Sequence, residues 1–231
     1  MADPRLIVAL DVPTTGEARG LVERLGDAVS FYKIGLQLFA TEGMSLAREL
    51  KSAGHQVFLD WKLHDIGATV EKAAAALAAQ GGDLLTVHAH PQVMAAAVKG
   101  AAGSSLKVLG VTVLTSLTDE DLRAIGYSET AEALVERRVR QAVEAGCAGV
   151  VASPREAALA RRVGGPDFLV VTPGVRPAGA AMDDQARAAT PAQALADGAS
   201  HLVVGRPITA ATDPRAAALA IAAEMASSPH P

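Results

Sequence analysis

Six consecutive residues, Asp60-Trp61-Lys62-Leu63-His64-Asp65, place two carboxylates and an ammonium directly after the apolar run Val57-Phe58-Leu59. A carboxylate and an ammonium emerging together from a buried run can stabilise charge at a reacting atom or move a proton, and ionisable groups in such settings gather at functional sites. If 56–62 is a strand, side-chain alternation puts Asp60 and Lys62 on one face and Trp61 on the other. Asp65 lies past the strand end, so period does not fix its direction. A structural reading is also open: an ion pair at a strand end, followed by a solvated loop.

Other polar residues follow, or lie within, short apolar runs. Asp11 follows Leu6–Leu10, Lys33 lies in Phe31–Gly35, and Thr115-Ser116 follow the run from Lys107 to Leu114. Arg176 and Gln185 lie in the long aperiodic segment from Pro173 to Ala189, and Gly205-Arg206 follow His201–Val204. Val204-Gly205-Arg206 has the makings of a phosphate site: glycine admits close backbone approach, and arginine can grip an anion through two N–H groups. Each residue alone has a plainer account. Asp11 can cap a turn, Lys33 can snorkel, and Thr115 can cap a helix. His64, His88 and His90 invite a metal reading, because imidazole and carboxylate are common ligands. No His-Glu-x-x-His or three-histidine spacing is present, and Lys33 and Lys62 would repel a cation, so no metal is expected. His55 and His201 precede strands and are expected at solvent or in turns, and Trp61 in the core.

The elements that must position these residues alternate. Strand-type runs are 6–10, 31–35, 56–62, 84–88, 107–114, 149–152, 168–171 and 201–204. Helical stretches lie between them. One follows Thr14 or Thr15, one runs to about Ala53, and one spans about 68–80 and stops at Gly81-Gly82. Others open at Pro91 and Pro154, fall near 118–125 and 129–145, and close the chain near 214–226. Eight such repeats in a chain of this length favour an α/β fold, a (β/α)8 TIM barrel forming a single domain over 1–231. An open doubly wound sheet is weakened because no Gly-x-Gly-x-x-Gly follows the first strand. In a barrel, the polar residues collected above converge on one mouth, at the carboxyl ends of the strands. This convergence favours the catalytic reading.

Composition bounds the rest. Half of the 231 residues are hydrophobic and only 3% are aromatic, so the core rests on Ala, Val, Leu and Ile. Net charge is −4 with the signs interspersed, and no basic tract points to nucleic acid. The lone Cys147 excludes an intrachain disulfide and reads as a small buried residue. The first apolar run is too short for a signal peptide and nothing reaches membrane-spanning length, so a soluble, cytoplasmic protein is expected.

Asp60-x-Lys62-x-His64-Asp65-Ile66-x-x-Thr69 closely resembles the signature of the orotidine 5′-monophosphate decarboxylase family. So do Leu10-Asp11, Tyr32-Lys33-Ile34-Gly35, Thr172-Pro173-Gly174-Val175-Arg176, Asp184-Gln185 and Val203-Val204-Gly205-Arg206-Pro207-Ile208. The blocks run in the family order from near residue 6 to near 212. Gly67 departs from the pattern, since bacterial members usually carry proline after Ile66; the change can loosen the loop but removes no reacting group.

The resemblance implies a (β/α)8 barrel that works as a homodimer with neither metal nor organic cofactor. It implies conversion of orotidine 5′-monophosphate to uridine 5′-monophosphate and carbon dioxide. Lys62 would donate the proton to pyrimidine C6, with Asp60 and Lys33 completing a charge array. Asp65 and Thr69 would come from the partner subunit, Thr69 reaching the ribose. Asp11 and Lys33 would bind ribose hydroxyls, and Thr115 the pyrimidine amide edge. Gln185, Gly205 and Arg206 would hold phosphate, with Arg176 close by. Sugar-phosphate decarboxylases of the same superfamily resemble the chain in Asp-x-Lys-x-x-Asp but use magnesium and an enediolate. The His64-Asp65-Ile66 continuation and the Asp184-Gln185 pair favour the nucleotide enzyme. Retention of every ionic residue argues against a silent nucleotide-binding scaffold.

Overall fold

The protein is described here from a computed structural model, covering residues 2–177 and 189–227. Eight parallel strands close into a barrel in sequence order: β1 (Leu6–Ala9), β2 (Phe31–Gly35), β3 (Gln56–Leu63), β4 (Leu84–His88), β5 (Lys107–Val111), β6 (Gly149–Val151), β7 (Leu169–Pro173) and β8 (His201–Val204). β1 pairs with both β2 and β8, so no edge is left open. The strands are near-continuous apolar runs because both faces are covered, the inner by the barrel core and the outer by helices.

Alternation sorts the side chains into two cores. Ile7, Phe31, Phe58, Leu84, Leu109, Val171 and Val203 fill the barrel interior. Leu6, Val8, Tyr32, Leu59, Trp61, Leu85 and Val87 face the surrounding helices. Phe58 and Asp60 therefore point inward while Leu59 and Trp61 point outward, as strand period requires. Cys147 is buried, and burial pushes its thiol up to about 12.

Helix starts follow their local chemistry. Thr14 accepts from the Glu17 N–H and caps the helix Thr15–Leu25. Pro91 opens Pro91–Ala101, and Gly81, at φ 82°, follows Gly67–Ala79. Thr118, not Thr115, caps Asp119–Ala124, in a reciprocal box with Asp121. The helical stretch expected up to Ala53 is broken into Leu36–Phe39 and Gly43–Ser52. A Cβ at Gly43 would lie 2.7 Å from the Leu38 carbonyl oxygen, so the close turn between the pieces requires glycine. Two short helices, Pro191–Ala196 and Arg206–Thr209, were not expected from sequence.

His201 corrects the sequence expectation, whereas His55 precedes β3 at the turn after Gly43–Ser52, as expected. His201 is the first ladder residue of β8, opposite Val171, rather than a solvent or turn residue. Its ring stands edge-on to Phe31 at 6.1 Å, with Nδ1 3.0 Å from Ser200 Oγ. Burial, with Lys107 and Arg5 nearby, outweighs Asp3 and lowers its pKa to about 4. His55 packs edge-on against Tyr32 at 5.1 Å, half-buried. In each case an aromatic neighbour, unreadable from local sequence, provides the packing surface.

The sign of the pH effect follows. Above pH 6.5 His201 is neutral in both folded and unfolded chains, and its burial costs no proton. As pH falls from 6.5 to about 4, only the unfolded chain takes up the proton, and stability on the order of 3 kcal/mol is lost. Urea titrations across that window should show a smaller loss in His201→Gln than in the wild type. Parallel curves for the two proteins would remove His201 as the cause.

Candidate active site

The cavity at the carboxyl ends of the strands has a volume of about 570 Å³. Its lining includes Asp11, Lys33, Asp60, Lys62, Thr115, Arg176, Gly205 and Arg206. Eight of the expected site residues thus meet in one concavity. Its walls are completed by apolar groups such as Phe58, Val113, Leu114 and Pro173.

On the β1–β3 side the charges alternate in a chain. Lys33 Nζ donates to Asp11 Oδ1 at 2.9 Å and stands 3.4 Å from Asp60 Oδ2. Lys62 Nζ donates to Asp60 Oδ1 at 2.8 Å. Register explains the chain. Ala9 pairs with Lys33, Lys33 with Phe58, and Gly35 with Asp60, so Lys33 sits one level below Asp60 in the same inward column. Lys33 is buried in the barrel at 6% exposure and does not snorkel. Burial alone would discourage ionisation of Asp60. The ammoniums of Lys33 and Lys62, with hydrogen bonds from Lys62 and Thr86, outweigh burial and hold its pKa below the ordinary carboxylate value.

The opposite side of the mouth is built by β7, β8 and the segments after them. Val175 pairs with Ala189, and the Arg176 N–H donates to the Ala189 carbonyl at 3.0 Å. The Arg176 side chain is nearly buried and donates to the Val175 carbonyl. At Gly205 an added Cβ would meet only Ala9 Cβ, at 3.7 Å, which leaves the backbone open toward the cavity. Thr115 is half-buried on the lining and does not cap the following helix, whose N-cap is Thr118. Asp184 and Gln185 lie outside the described residues.

Asp65 and Thr69 do not reach this cavity. Both are exposed, on the loop after β3 and the first turn of Gly67–Ala79. Asp65 Oδ1 accepts only from its neighbour, the Ile66 N–H, at 2.6 Å among the hydrogen bonds described. Gly67 opens that helix without positive φ, and a Cβ there would meet Ala96 Cβ at an ordinary 3.7 Å. Nothing in the backbone at that position demands glycine.

The three histidines expected to be non-ligating do come together. His64 stacks on His90 at 4.6 Å and lies 5.3 Å from His88. Burial, the neighbouring imidazoles and Arg138 lower the pKa values of His88 and His90. Among the described residues, no group of three or more His, Cys, Asp or Glu is arranged to hold a metal ion.

Thr86 touches the charged chain and was not singled out from sequence, and Gly35 entered there only as part of the second-strand block. Thr86 donates to Asp60 Oδ1 at 3.0 Å, and only a lone hydroxyl in the apolar run of β4 hinted at it. At Gly35, a Cβ would lie 2.7 Å from Asp11 Oδ1 and 3.0 Å from Lys33 Nζ.

The chain is similar to known proteins along nearly its whole length. A family model described as "Orotidine 5'-phosphate decarboxylase / HUMPS family" matches residues 4–221. A protein named orotidine 5'-phosphate decarboxylase from Caulobacter sp. (strain K31) is 70% identical over 225 residues, covering 97% of this chain and 98% of that protein. Its namesake from Caulobacter vibrioides (strain NA1000 / CB15N) is 67% identical over 229 residues, with the same coverage. The crystal structure of orotidine 5'-phosphate decarboxylase from Lactobacillus acidophilus superposes with a TM-score of 0.85 at 39% identity, covering 96% of this chain and 99% of that one.

The crowding at Gly35 is directly testable. The atoms in the way are ends of flexible side chains, so Gly35→Ala should stay folded, losing less than about 1 kcal/mol. It should separate Lys33 Nζ from Asp11. A variant crystal structure that keeps the 2.9 Å pair would count against this account.

Proposed function

The chain belongs to the orotidine 5'-phosphate decarboxylase / HUMPS family, and from that premise we propose that it converts orotidine 5′-monophosphate to uridine 5′-monophosphate and carbon dioxide, the last step of UMP biosynthesis. The observation that carries the reading is the alternating chain Asp11–Lys33–Asp60–Lys62 in a cavity whose other rim holds Arg176 and Gly205-Arg206. Relatives at 67–70% identity bearing the decarboxylase name favour the nucleotide over a sugar phosphate. The whole of 1–231 is read as one catalytic barrel. No helix among the described residues is long and apolar enough to cross a membrane. A cytoplasmic setting fits charged nucleotide substrate and product.

The chemistry follows from the charges. Breaking the bond from C6 to the carboxylate leaves an electron pair in the ring plane, where the π system delocalises it poorly. A cofactor serving as electron sink is one remedy. A fixed ammonium is another, because it stabilises the developing carbanion more than the ground state. Lys62, held by Asp60 at 2.8 Å, takes that role and delivers its proton to C6 as carbon dioxide leaves. Asp11 and Lys33 take ribose hydroxyls, and Thr115 the pyrimidine amide edge. Gly205 and Arg206 hold phosphate, with Arg176 beside them and Gln185 completing the grip. Phosphate binding remote from C6 fixes the ring against the array, so its energy appears in turnover as well as affinity.

Asp65 and Thr69 serve the neighbouring subunit of a homodimer. Their exposure in this chain supports that assignment, as do Leu36, Phe39 and Ile66, exposed by 53%, 47% and 72%. Phe39 lies 4.3 Å from the Trp61 ring, on the outer side of the catalytic strand. A second copy covering these side chains would bring its own Asp65 to this cavity.

Purified protein is expected to consume orotidine 5′-monophosphate, read as loss of orotate absorbance, with a chelator present. Lys62→Ala should lower turnover by at least about 10³-fold while nucleotide still binds. No turnover by the wild type, or turnover only with added magnesium, would sink the reading. Near-normal turnover by Lys62→Ala would remove that residue from its role. Mixing Lys62→Ala with Asp65→Ala subunits should restore activity, because one site of each heterodimer is then intact. Verified heterodimers without rescue would show that Asp65 does not act across the interface.

A further inference from the structure

The pairing of β3 with β4 breaks at the catalytic segment. Phe58 pairs with Leu84 and Leu59 with Leu85, but the next matched pair is Leu63 with Val87. Three residues of β3, Asp60 to Lys62, therefore stand opposite one residue of β4, Thr86. A regular ladder would place one residue there. The extra two form a bulge, a device that re-aims side chains beside active sites. Its backbone is strained: Lys62, at φ 50°, is the one non-glycine residue with positive φ among those described.

A bulge of this kind strands polar groups. The Lys62 N–H loses the strand partner a regular ladder would give it, and an unpaired buried N–H is costly. The Thr86 hydroxyl accepts it at 3.0 Å. The same hydroxyl donates its own proton to Asp60 Oδ1 at 3.0 Å. That oxygen also receives the Lys62 ammonium at 2.8 Å. Backbone, hydroxyl, carboxylate and ammonium thus close a ring that begins and ends at Lys62. Thr86 is fully buried and β-branched, so its rotamer is restricted as well as its proton direction.

We propose that Thr86 is a positioning residue of the reaction: through the bulge it holds Lys62 in its left-handed conformation and Asp60 in its rotamer, and so sets where the ammonium stands. The inference rests on the proposed decarboxylation, but half of its test does not. Valine matches threonine in shape and can neither accept nor donate; serine can do both. Thr86→Val should lower kcat by about 10²-fold, the scale of a misplacement of about 1 Å, with KM within about threefold of the wild type. Thr86→Ser should keep kcat within about tenfold.

Unchanged kcat in Thr86→Val, an effect confined to KM, or equal losses in the valine and serine variants would overturn the proposal. If Thr86→Val does not fold by circular dichroism, Thr86→Ala replaces it with the same expectations. Failure of both to fold would also overturn it, because the hydroxyl would then be a requirement of the barrel rather than of the lysine. A crystal structure of the valine or alanine variant reads the inference without substrate. Lys62 should leave positive φ or its ammonium should leave Asp60, and persistence of both would refute the proposal even if the wild type proved inactive on the nucleotide.

Discussion

The arrangement depends on one carboxylate held between two ammoniums. Asp60 is largely withdrawn from water at the floor of the cavity, where an unpaired charge would be costly. Lys33 approaches one of its oxygens and Lys62 the other, and the Thr86 hydroxyl shares the second. Removing either ammonium would leave Asp60 with a single cationic partner for a carboxylate largely withdrawn from water. The same constraint fixes the lysines, since each is placed by the carboxylate it must reach. An ammonium fixed in this way need not reorganise when negative charge develops beside it, and that is the source of its advantage over water.

The barrel supplies the conditions for that constraint. Parallel strands in sequence order leave no edge and give the interior a dry floor of Ile7, Phe31, Phe58 and Leu84. Phe58 lies two residues before Asp60 on the same inward face, so the apolar packing ends where the charges begin. The charged side chains of the interior enter near the mouth, and here they come from adjacent strands. The pairs Ala9–Lys33 and Gly35–Asp60 show how register converts three separate strands into one charge sequence. Gly35 is the small residue that leaves room for Asp11 and Lys33 to meet.

The barrel and most of its mouth were legible in the sequence because they depend on local periods. Eight apolar runs separated by helical stretches are a repeating signal, and strand alternation alone puts Asp60 and Lys62 on one face. What alternation could not express is the bulge. The two side chains share a face, yet they do so across a strained backbone opposite Thr86, not along a regular strand. That geometry depends on how β4 registers with β3, a nonlocal fact. His201 escaped for a similar reason, since its packing surface is Phe31, far away in sequence. Thr115 shows the converse. Local chemistry offered it as a helix cap, and Thr118 with Asp121 takes that place, leaving Thr115 on the cavity wall.

The bulge also bears on how one short segment could serve two sites of the proposed dimer. A regular strand continuing through Lys62 would keep alternating, with each later residue facing the barrel or the helices of its own subunit. The left-handed turn at Lys62 ends that alternation after the ammonium has been delivered to its own cavity. Beyond it, Asp65 is exposed and Ile66 more exposed still, before Gly67 opens the next helix. The chain leaves the barrel within three residues of that turn. In the proposed dimer the turn at Lys62 would place the proposed proton donor of one site and carry Asp65 and Thr69 outward toward the other.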